Sequence, residues 1–145
     1  MFIGTYRLSM EAEHSLVIPP EYRAQLAQGA YITRGFEQDL LLMSAEVFQE
    51  KCRRVASLNM ADPSVRLLNR LILSNASKLE MDASGHLAIP AELAAFAGLQ
   101  KEIVLIGQGD YIEAWAPSTW EQQSGILMNI AGNTDRFAHL DLTLA

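Results

Sequence analysis

The feature that most constrains this chain is an internal repeat. Met10-Glu11-Ala12-Glu13-His14-Ser15-Leu16-Val17-Ile18-Pro19 returns 71 residues later as Met81-Asp82-Ala83-Ser84-Gly85-His86-Leu87-Ala88-Ile89-Pro90. Met, Ala, Leu, Ile and Pro are identical, an acid is kept at the second place, and Glu21 matches Glu92 beyond the prolines. In each copy an acidic residue opens a tight turn, an apolar strand leaves it, and Pro-x-Glu starts a helix. Proline suits the first helical turn, where its missing N–H would be unpaired in any case. The fourth turn position is Gly85 in one copy and His14 in the other. If both turns need a positive φ there, glycine adopts it freely and His14 must tolerate it, as histidine does more often than most residues.

The correspondence continues past the motif. Residues 16–18 predict a strand, 19–26 a short helix ended near Gly29, and 30–33 and 40–43 two strands joined by a turn at 35–39. In the second copy, 90–97 predict the helix with Gly98 as its stop, and 102–106 and 111–115 the strands around a turn at 107–110. Here Gly35 matches Gly107, Met43 matches Trp115 and Phe48 matches Trp120, at a spacing of 72. One residue gained in the loop after the short helix leaves both strand registers intact. Residues 1–9 read as an opening strand that pairs with the segment after the first turn. Ser44 is a helix N-cap.

Between the copies, 47–58 and 63–73 predict two helices. Val65, Leu67, Leu68, Leu71 and Ile72 form an apolar stripe on the second, with Arg66 and Arg70 on a solvated face. After Trp120 the chain is expected to loosen at Gly132-Asn133-Thr134-Asp135, and Arg136 to Ala145 to form a docked or frayed tail. The organisation is thus repeat one at 5–50, a helical connector at 51–77, repeat two at 78–123, and a C-terminal helix and tail at 124–145.

Half of the 145 residues are hydrophobic and 19% are charged, which indicates a folded globular chain. No apolar run approaches the roughly 20 residues that span a bilayer, and the N-terminus lacks a signal-peptide pattern, so the expected location is cytoplasmic. Cys52 stands alone, which excludes an internal disulfide. Its neighbours Lys51 and Arg53 raise the question of a depressed pKa, but an ordinary free thiol is the favoured reading. The net charge of −6 is segregated: residues 51–78 carry six cations and one acid, +5, leaving −11 elsewhere. That arrangement suits a local binding surface or a basic face that meets an acidic neighbour, and charge alone favours the neighbour.

Catalytic patterns do not emerge. His14, His86 and His139 lack metal-ligand spacing, and Gly107-Gln108-Gly109 lies between strands and does not open a helix. Glu11 and Asp82 occupy matching places but have no nucleophile near them in sequence, so both acids are read as turn-structural. The expectation is a protein that is not an enzyme and uses no cofactor or metal. Trp115 and Trp120 are assigned to the packing of the second half.

The residues quoted so far resemble the MraZ family, whose members contain two SpoVT/AbrB-like domains. The resemblance runs from Met1 to about Gln123 and includes the N-terminal Met-Phe-x-Gly and both hairpin motifs. It also includes Arg70-Leu71-Ile72-Leu73-Ser74-Asn75-Ala76-Ser77, Ala97-Gly98-Leu99-Gln100-Lys101-Glu102 and Trp120-Glu121-Gln122. It implies an α+β fold: a duplicated AbrB-like swapped-hairpin β-barrel, a double-psi-like pseudo-dimer with flanking helices. It further implies a nucleoid-associated transcriptional regulator of the division and cell-wall gene cluster, a homo-oligomeric ring that binds direct repeats in promoter DNA.

The family signature is Asp-x-x-x-Arg in each half, with the arginines associated with DNA contact. Here the signatures read Glu11-Ala12-Glu13-His14-Ser15 and Asp82-Ala83-Ser84-Gly85-His86, so both arginines are replaced, and Ile3 stands where relatives commonly carry a basic residue. An arginine bridging guanine O6 and N7 is worth about 1–3 kcal/mol of discrimination, which Ser15 cannot replace. Two functional readings follow. The favoured one is a divergent DNA-binding regulator using Arg7, His14, Ser15 and Arg23 on the first hairpin, with His86 as a second contact. The other is an oligomeric scaffold or protein-interaction partner that has lost operator binding.

Overall fold

The structure is a computed structural model that describes residues 1–138 and 140. Its strands are β1 (Thr5–Ser9), β2 (Ser15–Val17), β3 (Ala30–Arg34), β4 (Leu40–Ser44), β5 (Ser77–Leu79), β6 (His86–Ala88), β7 (Glu102–Gly107) and β8 (Ile112–Trp115). Its helices are α1 (Pro20–Leu26), α2 (Ala45–Ala56), α3 (Pro63–Leu73), α4 (Ala91–Ala97), α5 (Pro117–Leu127) and α6 (Ile130–Phe137).

The strands form a six-stranded antiparallel sheet in the order β1-β7-β8-β4-β3-β5 and a separate two-stranded ribbon, β2-β6. Exchanging the repeat equivalents β1 with β5, β3 with β7 and β4 with β8 reverses the sheet order and leaves the pairings unchanged. The chain therefore has a pseudo-twofold axis. It passes the ribbon where Leu16 pairs with Leu87, residues 71 apart, and the sheet where Leu41 pairs with Glu113, residues 72 apart.

Two expectations are corrected by this topology. The opening strand β1 does not pair with β2; it pairs with β7 of the other copy, Arg7 opposite Val104, and β5 likewise pairs with β3. The turn over Ala12–His14 turns the chain out of the sheet, and β2 finds its partner in β6. The strands also do not close into a barrel, because β1 and β5 remain as sheet edges while the ribbon pairs only with itself. The α+β class and the flanking helices hold.

Local chemistry explains the elements. The Ser44 side chain accepts the Val47 N–H at 3.2 Å and caps α2; Asp62 accepts from Ser64 at 2.8 Å and caps α3, with Pro63 in its first turn. Gly98 ends α4 with φ of 69°. A further helix, α6, occupies the stretch expected to loosen: Asn129 accepts the Gly132 N–H at 2.9 Å and so supplies a cap that offsets the poor helix propensity of Gly132-Asn133-Thr134. The tail beyond α6 lies mostly outside the described residues, as does His139.

The core lies where the ribbon, the sheet and the two short helices meet. Leu16, Ile18 and Leu26 from one copy and Leu87, Ile89, Leu93 and Ala97 from the other are buried together with Ile32, Leu42, Ile103 and Leu105. Phe2, Tyr6 and Tyr22 pack edge to face, and the Tyr22 hydroxyl donates to the Ile3 carbonyl at 2.6 Å. Trp115 and Trp120 pack with Val104 and Ile106, with ring centroids 5.8 Å apart. At the matching place in copy one, Phe48 stacks on Tyr31 at 4.2 Å. Cys52 is half-buried on α2, and burial pushes its thiol pKa up rather than down.

His14 adopts φ of 55°, as the match to Gly85 (φ 85°) requires, and Glu13 shares the left-handed region at φ of 60°. Such residues are strained by roughly 1–2 kcal/mol each. Replacing His14 by glycine relieves strain but loosens the unfolded chain, so equilibrium unfolding should show a change between about zero and 1 kcal/mol in the stabilising direction. At Gly85 an added Cβ would also lie 2.6 Å from the Arg23 guanidinium. Gly85→Ala is expected to cost about 2 kcal/mol in the same measurement.

Asp39 is 2% exposed, and its pKa is raised to about 6, first by burial and then by the charge of Glu113. The unfolded chain releases this proton near its ordinary value, so between about pH 4 and pH 6 the folded state holds a proton that the unfolded state lacks. The stability that this group contributes is full below pH 4 and is lost as pH rises through 6. The rise of about two pKa units corresponds to an expected loss of about 2–3 kcal/mol. Urea unfolding of Asp39→Asn should show a gain of this size at pH 8 and none at pH 4.

Candidate nucleic-acid interface

Each repeat turn meets the strand end of the opposite copy across the pseudo-twofold. The Ile18 N–H donates to the Gly85 carbonyl at 2.8 Å, and the equivalent Ile89 N–H donates to the His14 carbonyl at 3.1 Å. Within the turns, Glu11 N–H donates to Ser15 O at 2.8 Å and Asp82 N–H to His86 O at 3.0 Å. Four matched backbone bonds thus fix each turn to itself and to the strand of its counterpart.

The matched acids behave differently. Asp82 Oδ1 accepts the Ser84 and His86 amides at 2.9 Å each, and the His86 amide leads the interactions that lower the Asp82 pKa. Glu11, one methylene longer, makes no such cap. It crosses to the second turn, where its Oε2 lies 3.0 Å from His86 Nε2. His86 Nδ1 is 3.4 Å from Asp82 Oδ1 with no hydrogen-bond geometry, so the ring sits between one carboxylate from each copy.

Arg23 is the cation that the fold brings to this place. From the last turn of α1 its Nε donates to Ile18 O at 2.9 Å, and its guanidinium lies over Gly85 of the other copy. The repeat counterpart of Arg23 is Ala94, so the second turn receives a guanidinium and the first does not. Ser15 and His14 are half-buried at the first turn. Arg7 is exposed on β1 and paired into the sheet opposite Val104; at about 3.3 Å per residue it stands roughly 13 Å along the chain from Glu11. The structure therefore groups Arg23, Glu11, Asp82 and His86 at the second turn; His14 and Ser15 lie at the other end of the ribbon, opposite Ile89 and Ala88, and Arg7 stands apart. The signal for the Glu11–His86 bridge is the repeat itself, since a twofold that pairs Leu16 with Leu87 sets each turn against the strand end of the other copy.

Two copies of a turn–strand–helix unit, interleaved in one antiparallel sheet about a pseudo-twofold axis and with each turn closed on the strand of the other copy, define an α+β protein of AbrB-like type. The family described as "MraZ protein, putative antitoxin-like" matches residues 72–138. The chain is 36% identical over 121 residues to the transcriptional regulator MraZ of Herpetosiphon aurantiacus, covering 83% of this chain and 85% of that protein. It is 38% identical over 125 residues to that of Nitrosomonas europaea, covering 83% and 84%, and 30% identical over 141 residues to that of Corynebacterium kroppenstedtii, covering 97% and 99%. This chain belongs to the MraZ family.

Glu11 is largely exposed, so its bridge to His86 orders the turns more than it stabilises the fold. A double-mutant cycle of Glu11→Gln and His86→Ala should give a coupling below about 1 kcal/mol that shrinks further in 0.5 M salt.

Proposed function

We propose that this chain is a sequence-specific DNA-binding transcriptional regulator that reads promoter direct repeats through the paired turns. The observation that carries the reading is the second turn, where the Arg23 guanidinium lies over Gly85 and Glu11 of the other copy reaches His86. The names of the relatives support the same class. Arg23 is the principal contact, His14, Ser15 and His86 supply neutral or conditional hydrogen bonds, and Arg7 meets the phosphate backbone at the edge. In this reading Glu11 and Asp82 are structural, holding the turns.

The target is the division and cell-wall gene cluster, the setting is the nucleoid in the cytoplasm, and the working form is a ring of copies. Among the described residues no helix is long and apolar enough to cross a membrane, and no group of three or more His, Cys, Asp or Glu is placed to hold a metal ion. Support for self-association comes from the exposed apolar residues Leu58, Leu67 and Leu73 on or beside α2 and α3, and Ile126, Leu127 and Met128 at the end of α5. In a ring, weak contacts on linked repeats add as avidity.

One observation favours a second reading, an oligomeric scaffold without operator binding. His86 is already engaged by Glu11 and Asp82, and Glu11, Glu13 and Asp82 put three carboxylates on the two turns. Fluorescence anisotropy with the upstream promoter against a scrambled duplex, at two salt concentrations and with light scattering on the same samples, separates the readings. The regulator reading expects promoter preference, steep salt dependence, and a loss of about tenfold on Arg23→Ala. Ser15→Arg should strengthen binding by roughly five- to 100-fold. An intact oligomer with no preference at either salt leaves the scaffold.

A further inference from the structure

A cavity of about 400 Å³ opens between the sheet and the helix pair α2–α3, far in sequence from the repeat turns. Its walls are mostly apolar: Leu41 and Met43 from β4, Phe48 and Val55 from α2, and Leu68 and Ile72 from α3. The Thr33 hydroxyl, which donates to the Ile72 carbonyl at 2.7 Å, ties α3 to the sheet beside it.

The polar lining is unbalanced. Glu37, Asp39 and Glu113 face the cavity, and so do Lys51 and Arg54. Both cations are already matched. Lys51 Nζ is 3.2 Å from Asp110 and 5.4 Å from the Tyr111 ring centroid, and Arg54 Nε is 3.5 Å from Glu50. Among the described residues the carboxylates have no such partner. Glu113 accepts only from neutral donors, Gln108 and the Trp115 indole, at 3.2 Å each. Asp39 is 98% removed from solvent, accepts one backbone N–H from Glu37 at 3.2 Å, and among the described residues pairs with no cation or side-chain donor. A buried carboxylate is normally paired, because leaving it without a counter-charge is costly. Here the missing element is a cation with an apolar body, in a space of the size that small-molecule sites occupy.

We propose that this cavity is a binding site for a small amphipathic amine, whose ammonium group pairs with Asp39 and Glu113 while its apolar body lies among Phe48, Leu68 and Ile72. The Asp39 carboxyl, with its pKa raised by burial and by Glu113, is ionised above about pH 6 and then presents its charge. The other titratable groups around it are Glu37, Lys51, Cys52, Arg54 and Tyr111. The site lies between the connector helices α2 and α3 and the sheet, so its occupancy would set how firmly these helices are seated. It does not depend on the DNA-binding reading, and neither test affects the other.

The experiment is calorimetric titration of the full chain at about pH 8 with three probes of one apolar body: phenylbutylamine, phenylbutanol and phenylbutyrate. The amine is expected to bind at least about tenfold more tightly than the alcohol, with no binding of the carboxylate. Leu68→Trp, which fills the cavity, should abolish binding. Asp39→Asn should bring the amine down to the alcohol; Glu113→Gln, which leaves the buried turn untouched, should weaken the preference and serves if the first variant fails to fold. Equal affinities, no amine binding up to about 1 mM, or a preference that persists in both carboxylate variants would overturn the proposal. So would amine binding that appears only when light scattering shows the oligomer diluted apart, because the cavity would then be the seat of a second copy.

Discussion

The pairing of Leu16 with Leu87 in the two-stranded ribbon is the contact on which the rest of the molecule depends. Three residues from each copy make an antiparallel ladder, both leucines are buried, and the Ile18 and Ile89 amides each close on the turn of the opposite copy. Neither copy can keep these bonds alone. A two-stranded ribbon is marginal by itself, and this one persists because the six-stranded sheet and the short helices α1 and α4 cover its apolar side. The same constraint gives the large sheet its mirrored order, since β1 and β5 must cross to the strands of the other copy once β2 and β6 have paired.

The candidate interface inherits both the symmetry and its breaking. Matched positions 15 and 86 hold a serine and a histidine, matched positions 14 and 85 a histidine and a glycine, and matched positions 23 and 94 an arginine and an alanine. Each difference has a physical counterpart. Gly85 leaves space for the Arg23 guanidinium, which a side chain there would displace, and Ala94 leaves the first turn without a cation. Glu11, freed from capping by its extra length, reaches His86 instead. A surface built this way presents its charges unevenly about the axis, although the strand pairings beneath them are matched.

Much of this architecture was legible in the sequence. The spacing of 71 and then 72, the prolines before each short helix, Ser44 as a cap and Gly98 as a stop located nearly every element. The positive φ of His14 followed from its alignment with Gly85. What remained hidden was partnership. Alternation along residues 5–9 identifies a strand but carries no information on which strand lies beside it, so the exchange of β1 to β7 escaped. The helix at Ile130–Phe137 was hidden by residues of low propensity and rests on an asparagine cap. Of the candidate interface, the residue types were legible, whereas the Glu11–His86 contact spans 75 residues and is produced by the twofold alone. Asp39 gave one signal, an acid directly before the apolar run Leu40-Leu41-Leu42, and its burial in the turn after β3 came only with the fold.

The open ends of the large sheet have a consequence for how copies can come together. Its two outer strands, β1 and β5, each expose unpaired backbone groups to which another strand could add. Arg7 stands at the centre of β1 and Lys78 at the centre of β5, both exposed, and the two are repeat equivalents 71 apart. Continuing the sheet from one molecule into the next would bring cation to cation whenever like edges met, and would strip water from both. The edges are thereby guarded against sheet-to-sheet growth, while exposed apolar side chains on the helices, Leu67, Leu73 and Ile126 among them, remain for joining one copy to another.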